Sequence, residues 1–204
     1  MVPLMSSLQS SKAFLKMVEI GSDWPRITSP GIALLLEPRD VAGLAAEAGA
    51  LTTGRPFSLV GHGDPGEATA MLGNLPPALA KDIAQLAKRL AQVTNAARLR
   101  IRLECVTGNS CRKVHVDRTD LRLITTYAGL GTQVPTGSVS GADEDFYDVP
   151  TGWIGLYKGS LYGDGRAPCR HRSAPAGDLG VKRLVLVIDT PGFAAGQWQE
   201  LQVA

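Results

Sequence analysis

Little in this chain points to a membrane, a secreted scaffold or a nucleic-acid partner. Lysines and arginines number 21 against 19 acidic residues, a formal net charge of +2. So small an excess gives no broad attraction to polyanions or lipid headgroups, and neither nucleic acid nor a membrane is expected as a partner. No apolar run approaches the roughly 20 residues needed to cross a bilayer. The longest, Gly31 to Pro38, is strand-length. The first residues have no charged segment leading into an apolar one, so no secretory signal is expected. Three cysteines are an odd count without scaffold spacing, which implies reduced thiols and a cytoplasmic location. There is no internal repeat and no low-complexity tract. Histidine is as scarce as cysteine, with three in the chain.

What is present suits one globular unit spanning residues 1–204. Apolar content is 44% and charged content 20%, enough for a single filled core. Residues 1–26 carry no clear period and read as a loose arm. Residues 27–97 read as a strand followed by helices. Pro38 opens a short helix with Val41, Leu44, Ala45 and Ala48 on its apolar face. The segment from Ser58 to Ala68 reads as a glycine-rich connection. A longer helix follows, with Leu79, Ile83, Leu86, Leu90 and Val93 at spacings of three and four.

After Ala97 the period changes from 3.6 to 2. Leu99, Ile101, Leu103 and Cys105 alternate with Arg98, Arg100, Arg102 and Glu104, as in a half-buried antiparallel strand whose charged residues face out. Further strands follow, separated by Gly, Pro and Asp clusters. The expected fold class is α+β. A helical N-terminal part packs on a C-terminal double-stranded β-helix of the jelly-roll or cupin kind, over residues 98–190.

Two of the three histidines fall in one constellation. In CRKVHVDRTD, period-two alternation puts His115 and Asp117 on one face of an extended stretch. His171 arrives much later, in APCRHRSAP, after enough chain to travel round a small barrel and return. Two imidazoles and one carboxylate can hold Fe(II) on one side and leave positions open for substrate and dioxygen. The competing reading is a core histidine hydrogen-bonded to a strand-end carboxylate. A second H-x-D, His62 and Asp64, sits among glycines and reads as a solvated turn.

Cys111 and Cys169 lie near these histidines in sequence and could face the same cavity. A thiolate ligand would favour zinc, whereas each cysteine could equally be a small buried hydrophobe. Cys105 reads as core. On the last strand, Lys182 or Arg183 could pair with an acidic co-substrate. Both faces of that strand are apolar, so pattern alone does not choose. Arg183 is preferred because a guanidinium matches a carboxylate bidentately, with Arg172 a further candidate. Tyr127, sharing a face with Thr125 and opposite to Arg122 and Thr126, is the candidate catalytic side chain lining the pocket.

The segment from Arg98 to Gln133, with PTGWIGLYKG, HRSAP and KRLVLVID, resembles a bacterial family of unknown function, domain family eighteen twenty-six. The resemblance runs over about residues 30 to 190. Residue by residue it singles out Cys111, His115, Asp117, Arg122, Tyr127, Lys158, His171, Arg172, Ser173 and Arg183. Ala174 precedes Pro175 where the family pattern has proline directly after the serine. The resemblance implies metal-related physiology with a possible metallochaperone partner, and names no reaction. The order of strands, H-x-D, long loop, histidine and basic residue is also similar in layout to Fe(II)/2-oxoglutarate oxygenases. That layout implies Fe(II) on His115, Asp117 and His171, 2-oxoglutarate on Arg183, and an unidentified small-molecule or peptide substrate near Tyr127. The alternative is a non-catalytic zinc-binding protein of metal homeostasis that uses Cys111 or Cys169 beside the histidines.

Overall fold

The computed structural model describes residues 17–109, 111–137, 145–163 and 168–190. Among these residues, ten strands form two sheets. Seven strands make the major sheet: β1 (Val18–Ile20), β2 (Leu34–Glu37), β3 (Phe57–Gly63), β4 (Leu99–Val106), β5 (Leu121–Ala128), β8 (Ile154–Lys158) and β10 (Arg183–Asp189). Their order is β1-β2-β8-β5-β10-β4-β3. The minor sheet is built from β6 (Thr132–Pro135), β7 (Phe146–Asp148) and β9 (Arg172–Ser173), in the order β7-β6-β9. Among the described strands every pairing is antiparallel except that of β1 with β2. The two sheets face each other in the manner of a jelly roll.

Two apolar clusters divide the interior. On one face of the major sheet, Leu99, Ile101, Leu103, Leu121, Leu123, Leu184, Leu186 and Ile188 pack with helical residues. On the other face Leu34, Leu36, Ile124, Tyr157, Val185 and Val187 pack against Val134 and Tyr147 of the minor sheet. β4 follows its predicted alternation residue for residue, with its odd positions buried. β10 is buried at every position. It runs between β5 and β4 and has a core on each side, which is why both of its faces are apolar.

Three α-helices are described. In α1 (Ala45–Thr53), preceded by a 3-10 turn at Ala42–Leu44, only Ala48 is fully buried. α2 spans Pro65–Ala70. α3 spans Pro77–Thr94 and buries Leu79, Ile83, Leu86 and Leu90, the stripe expected from spacing. Glu47 of α1 accepts from the amides of Ala78 and Leu79, supplying partners for the first turn of α3. Asn95 ends α3 in the left-handed region at φ 51°, a conformation asparagine tolerates. No helix among the described residues is long and apolar enough to cross a membrane.

The first half differs from expectation in three places. It supplies three strands, β1, β2 and β3, to the major sheet where the sequence suggests one. The Ser58–Ala68 stretch is strand, cap and helix rather than a connection. Asp64 accepts from the amides of Gly66 and Glu67 while Glu67 accepts from the Asp64 amide, a reciprocal capping box that opens α2. The third difference concerns the arm. Residues 1–16 lie outside the described residues, but residues 17–26 are not loose. β1 pairs with β2, and a 3-10 turn at Trp24–Thr28 buries Trp24 and Ile27. Neither a three-residue edge strand nor a 3-10 turn carries a detectable hydrophobic period.

Trp24 is 1% exposed, lies under the Arg89 guanidinium at 3.9 Å and donates its indole N–H to Glu37. Trp24→Ala should therefore cost about 3–5 kcal/mol of unfolding free energy. Denaturant unfolding measures it, and a loss below about 1 kcal/mol would mean the segment is peripheral.

Candidate metal centre

His115 and His171 come together through backbone pairing. The His115 amide donates to the His171 carbonyl at 2.9 Å, and the His171 amide returns the bond at 3.0 Å. This is an isolated antiparallel bridge. The expected strand around the H-x-D is thus a single paired residue, and Asp117 lies beyond it in irregular backbone. Directly opposite residues bring their side chains to one side of the pair, and the two rings lie 4.8 Å apart. One ligand atom from each of His115, Asp117 and His171 falls within 4.8 Å of the others.

The hydrogen bonds around these side chains prepare them for a cation. His115 Nδ1 lies 2.9 Å from the Lys113 carbonyl, and His171 Nδ1 lies 3.3 Å from the Cys169 carbonyl. A carbonyl only accepts, so each Nδ1 carries its proton and each Nε2 keeps a lone pair. Outer hydrogen bonds of this kind orient metal-binding imidazoles. The Nε2 atoms lie 3.6 Å from Asp117 Oδ1 and 3.1 Å from Asp117 Oδ2, for His115 and His171 respectively. Asp117 is 7% exposed, and its Oδ2 is buried without a hydrogen-bond partner. Two nitrogen lone pairs and an unsatisfied carboxylate oxygen at one point are a donor set suited to Fe(II).

Arg122 holds the carboxylate. Its Nη1 pairs with Asp117 Oδ1, while Nε and Nη2 grip Asp189 Oδ1 and Oδ2 at 2.5 and 3.0 Å. Burial alone would raise the Asp117 pKa. When the two rings are protonated, hydrogen bonds from their Nε2–H groups and the charge of Arg122 outweigh it and hold the carboxyl well below the ordinary range. The hydrogen bond to Asp117 also raises the His115 pKa, against the opposing effect of burial. Behind the ligands, the Tyr157 ring lies 4.8 Å from the His171 ring. Tyr157 folds back over Gly155, where a Cβ would collide with the ring. Glycine at 155 is what lets the tyrosine lie there.

The cavity in front of the ligands has a volume of about 100 Å³. Arg183 lines it, 2% exposed, with Val185 and Val187 on the same face of β10. The parity question is answered by the structure: Leu184, Leu186 and Ile188 join the helix-side core, and Arg183 faces the ligands' cavity. Lys182 reaches the Gly54 carbonyl instead. Arg172 also lines the cavity, as do Arg102 and Glu104 from the face of β4 that the sequence suggests is outward.

Other expectations change. Tyr127 is not in the pocket. It points to the helix side, where its hydroxyl donates to Asp82 Oδ2 at 2.6 Å and Arg39 donates to Asp82 Oδ1 at 2.6 Å. The side of β5 facing the ligands carries Arg122 and Ile124, opposite to Tyr127. Cys111 lines the cavity, but its thiol does not join the converging ligand atoms. Cys169 lines a different, apolar cavity with Leu34 and Val134, and burial raises its pKa far above that of a free thiol. His62 is exposed on β3, and Asp64 is the helix cap. In sequence, Arg122 is visible only as a family-pattern position. Its shared parity with Ile124 is the available signal for its role, and Asp189 offers none beyond its place at the end of β10.

A single divalent ion per chain should bind at the three side chains, and Asp117→Asn or His171→Ala should remove it. Cys111→Ser and Cys169→Ser should leave it in place, as counted by elemental analysis of the purified protein. Proton competition sets the pH dependence. A raised His115 pKa means the ring holds its proton to higher pH, so as pH falls affinity should begin to drop already above the ordinary imidazole range, followed by titration with Mn(II).

No curated protein matches the chain in sequence. Solved structures match in fold. A dioxygenase for auxin oxidation from rice aligns with a TM-score of 0.53 at 13% identity, covering 85% of this chain and 82% of that one. The dioxygenase for auxin oxidation 1 from Arabidopsis thaliana, in its 2-oxoglutarate binary complex, aligns with a TM-score of 0.56 at 9% identity, over 86% and 92%. A full-length Neurospora crassa protein, in complex with alpha-KG, gives 0.52 at 11% identity over 79% and 74%. At such identities the likeness is one of fold. A family model matches residues 66–189, more than half of the chain and the whole of the site: the chain belongs to the family described as protein of unknown function DUF1826.

Proposed function

We propose that this chain is an Fe(II)- and 2-oxoglutarate-dependent oxygenase of the cytoplasm. One observation carries the reading. Two histidines of a three-residue set that can share a metal line the same cavity as a buried guanidinium that no carboxylate among the described residues neutralises, with Asp117 buried behind them. Arg183 donates from Nε to the Leu130 carbonyl at 2.5 Å and from Nη2 to Thr126 Oγ1 at 3.4 Å. Both acceptors are neutral. Burial lowers its pKa, which means the charged form is short of compensation. A buried cation in that condition is completed by an anion.

His115, Asp117 and His171 would hold Fe(II). Arg183 would take the far carboxylate of 2-oxoglutarate, and Thr126 fixes the angle of its guanidinium. When bound, Fe(II) would activate dioxygen as the oxidant, and 2-oxoglutarate would supply two electrons as it is oxidised to succinate and carbon dioxide, taking up one oxygen atom and leaving the other for the substrate. The protein's own part is positional. The Lys113 and Cys169 carbonyls keep both Nδ1 protons in place, and Arg122 keeps Asp117 ionised and aimed. Ile124, Val185 and Val187 keep the inner wall apolar. The 2-oxoglutarate complex of the Arabidopsis protein, on the same fold, supports the reading. The zinc-binding alternative places Cys111 or Cys169 beside the histidines, and neither thiol joins the converging set.

Arg183→Leu should abolish 2-oxoglutarate binding and leave the metal bound, a loss on the order of 2–5 kcal/mol. Calorimetry on metal-loaded protein without dioxygen measures it. Unchanged affinity for 2-oxoglutarate would sink the assignment of Arg183, and no affinity in the unsubstituted protein would sink the oxygenase reading.

A further inference from the structure

The cavity in front of the ligands holds more positive charge than the proposed metal and co-substrate require. Four arginines line it: Arg102, Arg122, Arg172 and Arg183. Arg122 is neutralised by Asp117 and Asp189. Arg183 is the proposed co-substrate anchor. Two guanidiniums remain, one from each sheet: Arg172, without a carboxylate partner among the described residues, and Arg102, whose charge is shared with Glu104 at the cavity wall. The chain as a whole is nearly neutral, so this concentration is local.

Neither of the two is fully satisfied by the protein. Arg102, on β4, meets Glu104 at 3.3 Å, but Glu104 also accepts from Ser58, and the Arg102 Nε is buried without an acceptor. Arg172, on β9, donates to the Gln133 side-chain oxygen at 2.8 Å and lies over the Phe146 ring at 3.6 Å. Both of these partners are uncharged, and no carboxylate among the described residues pairs with Arg172. Gln133 and the stacked ring fix its plane in advance, which reduces the ordering cost of binding. Guanidiniums presented this way match carboxylate or phosphate oxygens in pairs. Between the arginines the wall is apolar, formed by Val106, Ile124, Val185 and Val187.

We infer that the substrate is a small molecule with an apolar body and one anionic group, carboxylate or phosphate, received by Arg102 and Arg172. The inference rests on the oxygenase reading for what happens to that molecule, but not for its binding. A small cavity walled by valine and isoleucine favours a small molecule over a polymer.

The test uses the full chain loaded with Zn(II), a diamagnetic stand-in, and saturated with 2-oxoglutarate. Benzoate, phenyl phosphate and benzamide serve as probes, followed by saturation-transfer NMR and calorimetry. At least one of the two anions should bind, with benzamide roughly tenfold weaker or worse. Arg102→Gln and Arg172→Gln should each weaken that anion by about tenfold or more, and Arg172→Lys should retain part of the affinity. The melting temperature of each metal-free variant checks folding, and Arg102→Lys replaces Arg102→Gln if the latter does not fold. The stronger of the two anions distinguishes carboxylate from phosphate. Equal binding of benzamide, no binding of either anion, or anion binding within about twofold of normal in both glutamine variants would overturn the inference. If 2-oxoglutarate fails to bind while the anion still tracks Arg102 and Arg172, the oxygenase reading falls and the anion site stands.

Discussion

A guanidinium between two buried carboxylates holds the centre of this molecule together. Arg122 leaves the cleft face of β5, grips Asp189 at the end of β10 with two nitrogens and reaches Asp117 with the third. Buried charges are tolerated when paired and hydrogen-bonded on all sides, and removing one partner typically costs about 3–5 kcal/mol. The Arg122 side chain is 15% exposed, and its partial burial disfavours its charge. The fields of Asp189 and Asp117 reverse that and raise its pKa. Asp117 itself sits in irregular backbone with no strand to direct it. Through Arg122, its position is set by β5 and β10, adjacent strands inside the major sheet.

The same sheet carries a second polar group on its other face. There Arg39 links Asp82 of α3, Thr125 of β5 and the Gly152 carbonyl, and Tyr127 completes the set by donating to Asp82. β5 therefore divides its work by parity. Arg122, Ile124 and Thr126 serve the cleft, while Leu121, Leu123, Thr125 and Tyr127 tie the sheet to the helices. Tyr127 looks like a pocket residue in sequence because tyrosine has a polar tip suited to catalysis. Its tip is instead consumed by a carboxylate from a helix, a partner no local pattern announces.

Legibility in the sequence follows periodicity. α3 and β4 are readable because each has one buried face over many residues. The ligand set is readable because histidine is scarce and the H-x-D spacing is short. β10 is readable as a strand but not in orientation, since a strand between two cores shows no alternation. β1 and the Trp24 turn are too short to show any period. The capping box at Asp64 and Glu67 is written in the sequence, but the surrounding glycines make the segment look like a connection. The charged residues of β4 look as if they face water, when they face the cleft between two sheets. Alternation separates the faces of a strand without saying what lies beyond each.

Among the described residues, the segments that carry His115 and His171 are joined by their reciprocal pair of backbone hydrogen bonds and by the Ser173 amide donating to the Cys111 carbonyl, with no regular ladder around them. Segments joined by so few bonds open at low free energy, independently of global unfolding. A cation bound to both rings would exist only in the closed form, and so would close the bridge by mass action. Such an ion would be a structural fastener between distant stretches of chain as well as a reagent. The interval between synthesis and metallation would then be the period in which this corner of the protein is open to proteases.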